Sequence, residues 1–247
     1  MSVRTDIEGG VAHVTLARPE ARNALNLAMC HALTKAFDLL DADDTIRVVL
    51  LGADGPVFCA GADMKERVGQ DEAWVRARRL AAFRAYETIE RCRKPVIALL
   101  QGPVVGSGGE IALCCDFALA VPGATWRFPE PQWGTVGATQ RLQRAIGKRR
   151  AKELLYTGRS MTAEEALAAG LIARIVPAEA LTEAGATTAA AIAKAPPLAM
   201  ALTKQSIDLG EEVALATGIR IELAAIERNL AEGDWRGGLA AFADTRK

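Results

Sequence analysis

Residues 101–116 read QGPVVGSGGEIALCCD: an apolar approach, a turn built from Gly106, Ser107, Gly108 and Gly109, then Glu110 at the head of an apolar, helix-like run. Glycine lets the chain turn sharply and lets a ligand come close to the backbone. A turn that feeds a helix leaves backbone N–H groups without intrahelical partners at the positive end of the helix dipole, where negative charge is held. Glu110 is a carboxylate in the first turn of a segment that otherwise reads as buried. The run is not a P-loop, because no Lys-Ser/Thr closes it, and Ile111 stands where a dinucleotide fingerprint needs its third glycine. A nucleophile elbow needs glycine two residues before the serine, where Val105 stands. Taken alone, such glycines are more often explained by tight backbone packing.

Outward from this turn the chain alternates strand with helix. The approach, KPVIALLQG, is a buried strand. A second small-residue cluster, Ala60-Gly61-Ala62, lies in the loop 52–63 and follows another apolar run, IRVVLLG. Each cluster thus leaves an apolar strand and leads toward a helix. Upstream, residues 11–16 alternate as a strand with Ala12, Val14 and Leu16 on one face, and residues 25–40 carry Leu25, Met29, Leu33, Phe37 and Leu40 at helical spacing. A charged helix is expected over 72–92 with Leu80, Phe83, Tyr86 and Ile89 as its apolar stripe. Downstream come a strand over 117–121, a loop in which Pro129 and Pro131 restrict the backbone around Glu130, and a helix over 139–155. From Ala163 the chain is mainly helical, with one short strand in LIARIVP and a break at Ala195-Pro196-Pro197. The alternation predicts an α/β architecture with its functional loops at one end of the strands.

The 247 residues suffice for a large core, half are apolar, and 30 basic residues offset 30 acidic ones. No broad field recruits nucleic acid or an anionic membrane, and no apolar run reaches the roughly 18 residues of a membrane span. Five scattered cysteines, an odd number without zinc spacing, read as small buried hydrophobes of a reducing, cytoplasmic compartment. His13 and His31 lie near no nucleophile, so a hydrolase triad is unsupported. Carboxylates are the better candidates for chemistry, Glu110 behind the glycine turn and Glu130 in WRFPEPQW.

These residues resemble a known family. FCAGAD at 58–63, KPVIALLQG leading into VVGSGGEIAL, Pro129-Glu130, TQRL at 139–142 and LLYTGRSMTAEEALAAGLIARIVP are similar, in order, to the enoyl-CoA hydratases of the crotonase superfamily. The likeness runs from about Gly10 to the closing AFADTRK. It implies a spiral of ββα units over residues 1–190, bearing the acyl-CoA site, and a helical C-terminal region over 191–247 that builds a homotrimer or dimer of trimers. It also implies an oxyanion hole from the N–H groups of Ala62 and Ser107, and two catalytic glutamates, Glu110 as the base that orients water and Glu130 as the proton donor to the α-carbon. Glu20, Ala21, Arg22, Ala60, Asp63, Lys65, Gly106 and Trp133 are implied as substrate-binding. No metal and no cofactor is expected, since coenzyme A is part of the substrate.

Adding water across a 2,3 double bond builds enolate charge on the thioester oxygen, which fixed N–H donors stabilise most in the transition state. Two carboxyl groups around one water supply the proton transfers. Isomerases of the superfamily keep the base matching Glu130 and lack the partner at 110, so the pair favours hydration. The alternatives are an isomerase or specialised dehydratase, and a non-catalytic binder of CoA esters or RNA; the balanced charge argues against RNA, and the intact pair Glu110 and Glu130 against a protein without catalysis. The sequence departs from the family at Ser107, where many members have glycine, and in a shortened EPQWGTVGAT segment, where Trp133 and Thr135 are expected to reshape the acyl end.

Overall fold

The period-two pattern of β2 (Val11–Leu16) sends Ala12, Val14 and Leu16 into the core, while every residue of β4 (Val96–Leu100) and the first four of β3 (Val48–Ala53) are buried. Strands covered on both faces read as continuous apolar runs, and these are the central parallel strands of a sheet. The computed structural model describes the backbone of residues 2–244 and the side chains through residue 239; Thr245, Arg246 and Lys247, at the end of the expected C-terminal region, lie outside the described residues. With β1 (Val3–Glu8), β6 (Phe117–Ala120) and β9 (Arg174–Ile175), the sheet has the order β1-β2-β3-β4-β6-β9, parallel except for the β1–β2 pair. β1 is an edge strand with only Val3 buried, so no apolar alternation announces it in the sequence.

A second, three-stranded sheet joins β5 (Val104–Val105), β7 (Trp126–Arg127) and β8 (Ser160–Met161). Two isolated bridges, Leu25 to Ala62 and Cys59 to Val104, continue its ladder. Successive passes of the chain therefore stack edge to edge, which is the ββα spiral expected from the resemblance. These two- and one-residue contacts carry no hydrophobic period, and only the stacked neighbours create them.

The helices are α1 (Leu27–Ala42), α2 (Glu72–Glu90), α3 (Ser107–Leu113), α4 (Thr139–Ile146), α5 (Lys148–Thr157), α6 (Ala163–Ala168), α7 (Leu181–Ala193), α8 (Pro197–Gly210), α9 (Leu215–Glu232) and α10 (Trp235–Asp244). The Asn26 side chain accepts from the Met29 N–H at 2.9 Å and caps α1. Two expectations are corrected. The helix over 139–155 is two helices, broken at Gly147 with φ 81°. The stripe expected on α2 is also different: Leu80 is 65% and Phe83 47% exposed, while Arg78, Ala82, Ala85, Tyr86 and Ile89 are buried. Small alanines let α2 pack closely on α1, and the buried face carries an arginine because it borders a cavity.

Candidate active site

Gly106 stands at φ 48° and ψ −110°, left-handed backbone that favours glycine, and starts α3. A Cβ there would lie 2.8 Å from Glu130 Oε1, so the Glu130 carboxyl rests directly on the turn. Gly108 and Gly109 serve packing: added Cβ atoms would meet the Cys59 carbonyl at 2.6 Å and the Phe128 ring at 2.4 Å. One glycine of the turn shapes the site, and two bring α3 against its neighbours.

The second cluster comes alongside. Leu25 N–H donates to the Gly61 carbonyl at 2.8 Å and Asp63 N–H to the Leu25 carbonyl at 3.0 Å, so the bridge uses the groups on either side of Ala62. Neither the Ala62 N–H nor the Ser107 N–H has an acceptor among the described residues. Both residues line one narrow cavity of about 60 Å³, together with Gly106, Glu110, Glu130 and Trp133. Two unpaired backbone donors on one cavity are a place for an oxygen that gains charge.

Glu110 is 6% exposed. Its Oε1 accepts from the Ala138 N–H at 2.7 Å and its Oε2 from Arg141 Nη1 at 3.2 Å, which fixes the carboxylate and leaves each oxygen free to accept a further bond. Arg141 also pairs with Glu90 at 2.8 Å and lies over the Tyr86 ring at 5.8 Å. Glu130 differs. Its Oε2 is buried without a partner, and burial, with the charge of Glu110 adding to it, pushes its carboxyl above the usual carboxylate range. One acid is held by donors and the other is driven toward its protonated form, an arrangement that separates a base from a proton donor.

Glu130 itself is helical, φ −54° and ψ −47°, although Pro131 disfavours that conformation in the residue before it. The N–H groups of Trp133 and Thr135, which donate to its carbonyl at 3.1 and 2.9 Å, hold it there. The segment also leans on Gly137, where a Cβ would stand 2.9 Å from Glu130 Cγ. Gly137→Ala is therefore expected to displace the Glu130 side chain while the fold survives, because the atom that must move belongs to a flexible side chain. About a 100-fold fall in kcat with KM little changed is the expected kinetic result. Wild-type kcat in this variant would show that the position of Glu130 is not critical.

The remaining expected site residues, Glu20, Ala21, Arg22, Ala60, Asp63 and Lys65, are not among those that line the cavity. Glu20 and Ala21 belong to the short helix Pro19–Ala21; Ala60 N–H donates to the Arg22 carbonyl at 3.0 Å. Glu20, Arg22 and Lys65 are exposed, whereas the Asp63 carboxylate accepts from Arg18 at 3.2 Å and from the Lys65 N–H at 3.2 Å. The sequence reading gave no role to Arg141 or Asn23 and, although it drew pocket residues from the charged stretch 67–79, did not single out Arg67, Arg78 and Arg79, which line the cavity. An asparagine in a turn is a signal for left-handed backbone, and Asn23 adopts φ 54°. Nothing local marks an arginine as facing inward. All five cysteines are free and buried, with burial pushing the thiols of Cys30 and Cys59 up to about 11 and 12. No helix among the described residues is long and apolar enough to cross a membrane.

The spiral and its cavity are those of the crotonase fold, and the structure superimposes on an enoyl-CoA hydratase from Bacillus anthracis with a TM-score of 0.96 at 36% identity, covering 99% of this chain and 97% of that one. The model of the enoyl-CoA hydratase/isomerase family matches residues 6–247, and the chain belongs to that family. It is 37% identical to an enoyl-CoA isomerase/hydratase of Mycosarcoma maydis, over 96% of this chain and 91% of that protein. It is 36% identical to a probable enoyl-CoA hydratase of Rhizobium meliloti, over 98% and 95%.

Proposed function

We propose that the protein is an enoyl-CoA hydratase that adds water reversibly across the 2,3 double bond of a 2-enoyl-CoA thioester. The observation that carries this reading is one cavity lined by two unpaired N–H groups, Ala62 and Ser107, and by two carboxyl groups, Glu110 held by two donors and Glu130 with a buried oxygen that has no partner. The thioester oxygen accepts from both N–H groups. Glu110 orients a water molecule and takes its proton as the water oxygen bonds to the β-carbon. The electron pair of the double bond moves toward the carbonyl oxygen as enolate charge, which the N–H donors stabilise. Glu130 gives its proton to the α-carbon, and a proton passing from Glu110 to Glu130 restores both groups. Every atom comes from water and thioester, so the reaction as proposed draws on no metal and no separate cofactor.

The coenzyme A nucleotide and pantetheine run past Arg22, Ala60 and Lys65 in this reading. The exposed apolar residues Ile207, Leu215, Ile219, Leu223 and Ile226 on α8 and α9 support contacts between copies through 191–247, in a trimer or dimer of trimers. The balanced charge supports an enzyme that engages neither nucleic acid nor an anionic membrane, and the free, buried cysteines support a cytoplasmic one.

The test follows the absorbance of the conjugated thioester with a panel of 2-enoyl-CoAs. Loss of absorbance is expected for at least one member; none with any, despite CoA-ester binding, would sink the hydratase reading. The isomerase alternative, favoured by the name of the Mycosarcoma relative, predicts a gain of conjugated absorbance from a 3-enoyl-CoA. Glu110→Ala separates the two, since isomerisation survives it and hydration does not.

A further inference from the structure

The wall of the cavity beyond the two glutamates is built from guanidinium groups. Arg67, Arg78 and Arg79 all line it. Arg78 is 2% exposed. Its Nη2 donates to the Leu25 carbonyl, but its Nε is buried without a hydrogen bond, the nearest acid being Glu66 at 3.9 Å. Glu66 is already occupied by the Leu27 N–H at 2.9 and 3.0 Å. Arg79 donates to the Val136 carbonyl at 2.6 Å and to Thr135 Oγ1 at 2.8 Å, which ties the shortened loop to α2.

Arg67 makes no side-chain hydrogen bond or ion pair among the described residues, and its Nε is buried without a partner. Glu66 stands beside Arg78, and the charge of Arg79 acts on Glu130, which leaves Arg67 without an ion pair. Burial, and then the charges of Arg78 and Arg79, lower the pKa of Arg67, with Glu66 opposing them. A neutral aliphatic chain would press hydrocarbon against the guanidinium groups and leave the buried Nε atoms of Arg67 and Arg78 unpaired, which costs more than burying methylenes returns.

We propose that the acyl group of the substrate carries a carboxylate at its far end, and that Arg67 binds it, with Arg78 behind it. The inference rests on the hydratase reading for the position of the reacting carbons. Arg67 is then a specificity residue, since a carboxylate offers a guanidinium two parallel hydrogen bonds, and Arg79 positions the opposite wall.

The test compares glutaconyl-CoA, a five-carbon 2-enoyl thioester that ends in a carboxylate, with 2-pentenoyl-CoA, its neutral match in length. Wild-type kcat/KM is expected to favour the carboxylate by about 100-fold, since a site built to bond a polar group discriminates strongly against its absence. Arg67→Gln should reduce that ratio at least about tenfold, and Arg67→Lys should restore part of it. Hydration of both thioesters at equal rates, or a preference unchanged in Arg67→Gln, would overturn the proposal and leave the hydratase reading standing. If neither is hydrated, calorimetry with saturated glutaryl-CoA and pentanoyl-CoA decides. Tighter binding of glutaryl-CoA that Arg67→Gln abolishes would keep the anion pocket and end the hydratase reading, and equal binding would end both.

Discussion

Glu110→Gln and Glu130→Gln are each expected to lower kcat for 2-enoyl-CoA hydration by about 100- to 10,000-fold, the range spanned by general acid–base groups. KM should change little, because the N–H groups of Ala62 and Ser107 still hold the thioester. The double variant should be barely slower than either single one, since the two act on the same water and the same transition state. Additive losses would mean that the carboxyl groups work in separate steps.

The same two variants move stability in opposite directions. Burial raises the Glu130 carboxyl above its unfolded value, so the native state holds the extra proton between the two pKa values. The stability of that protonated form is fully present below the unfolded pKa and is lost as pH rises through the raised native pKa. Glu130→Gln therefore melts with the wild type at acidic pH and progressively above it as pH increases through that window. Glu110→Gln leaves Arg141 facing a neutral amide and loses about 1–3 kcal/mol. A Glu130→Gln variant less stable than wild type at neutral pH would contradict the desolvation of that carboxyl.

Asn23→Ala should be the most destabilising single substitution outside the hydrophobic core. Asn23 is fully buried, accepts from the Arg18 N–H at 2.8 Å and donates to the Asp54 and Val57 carbonyls, both at 2.8 Å. Removing the side chain orphans two acceptors and one donor, and alanine is poorly suited to φ 54°. About 4 kcal/mol is expected, or roughly 8–16 °C in Tm for a chain of this size. Asn23→Gly relieves the backbone and not the lost bonds, so it should recover only about 1 kcal/mol. Because the segment Asn23 anchors runs on into Leu25, whose bridge positions Ala62, kcat should fall as well. A urea midpoint within error of wild type would dismiss this role.

The strand-to-helix alternation, the two small-residue clusters and the pair Glu110 and Glu130 were legible in the sequence because each is local. A run such as VIALL has one environment compatible with it, and a glycine turn ahead of an apolar helix restricts the backbone whatever surrounds it. The apolar stripe of α2 was right at Tyr86 and Ile89 and misread at Leu80 and Phe83, because hydrophobic period counts residues by type, whereas burial there was decided by a neighbouring helix that admits alanines and a cavity that admits Arg78. Gly147 split the helix over 139–155 because its left-handed backbone outweighed a continuous pattern of polarity.

By itself the sequence determined the strands, the turn and the chemical types available to the site. Tertiary structure alone decided that Ala62 and Ser107 present unpaired N–H groups to one cavity, and that Glu110 is held by Ala138 and Arg141 while Glu130 is left without a partner. It alone turned three arginines of a charged stretch onto the cavity wall. The physical reason is that hydrogen-bond satisfaction and desolvation depend on neighbours distant along the chain, as in the 31 residues between Glu110 and Arg141, and no local pattern encodes which groups a fold will leave unpaired.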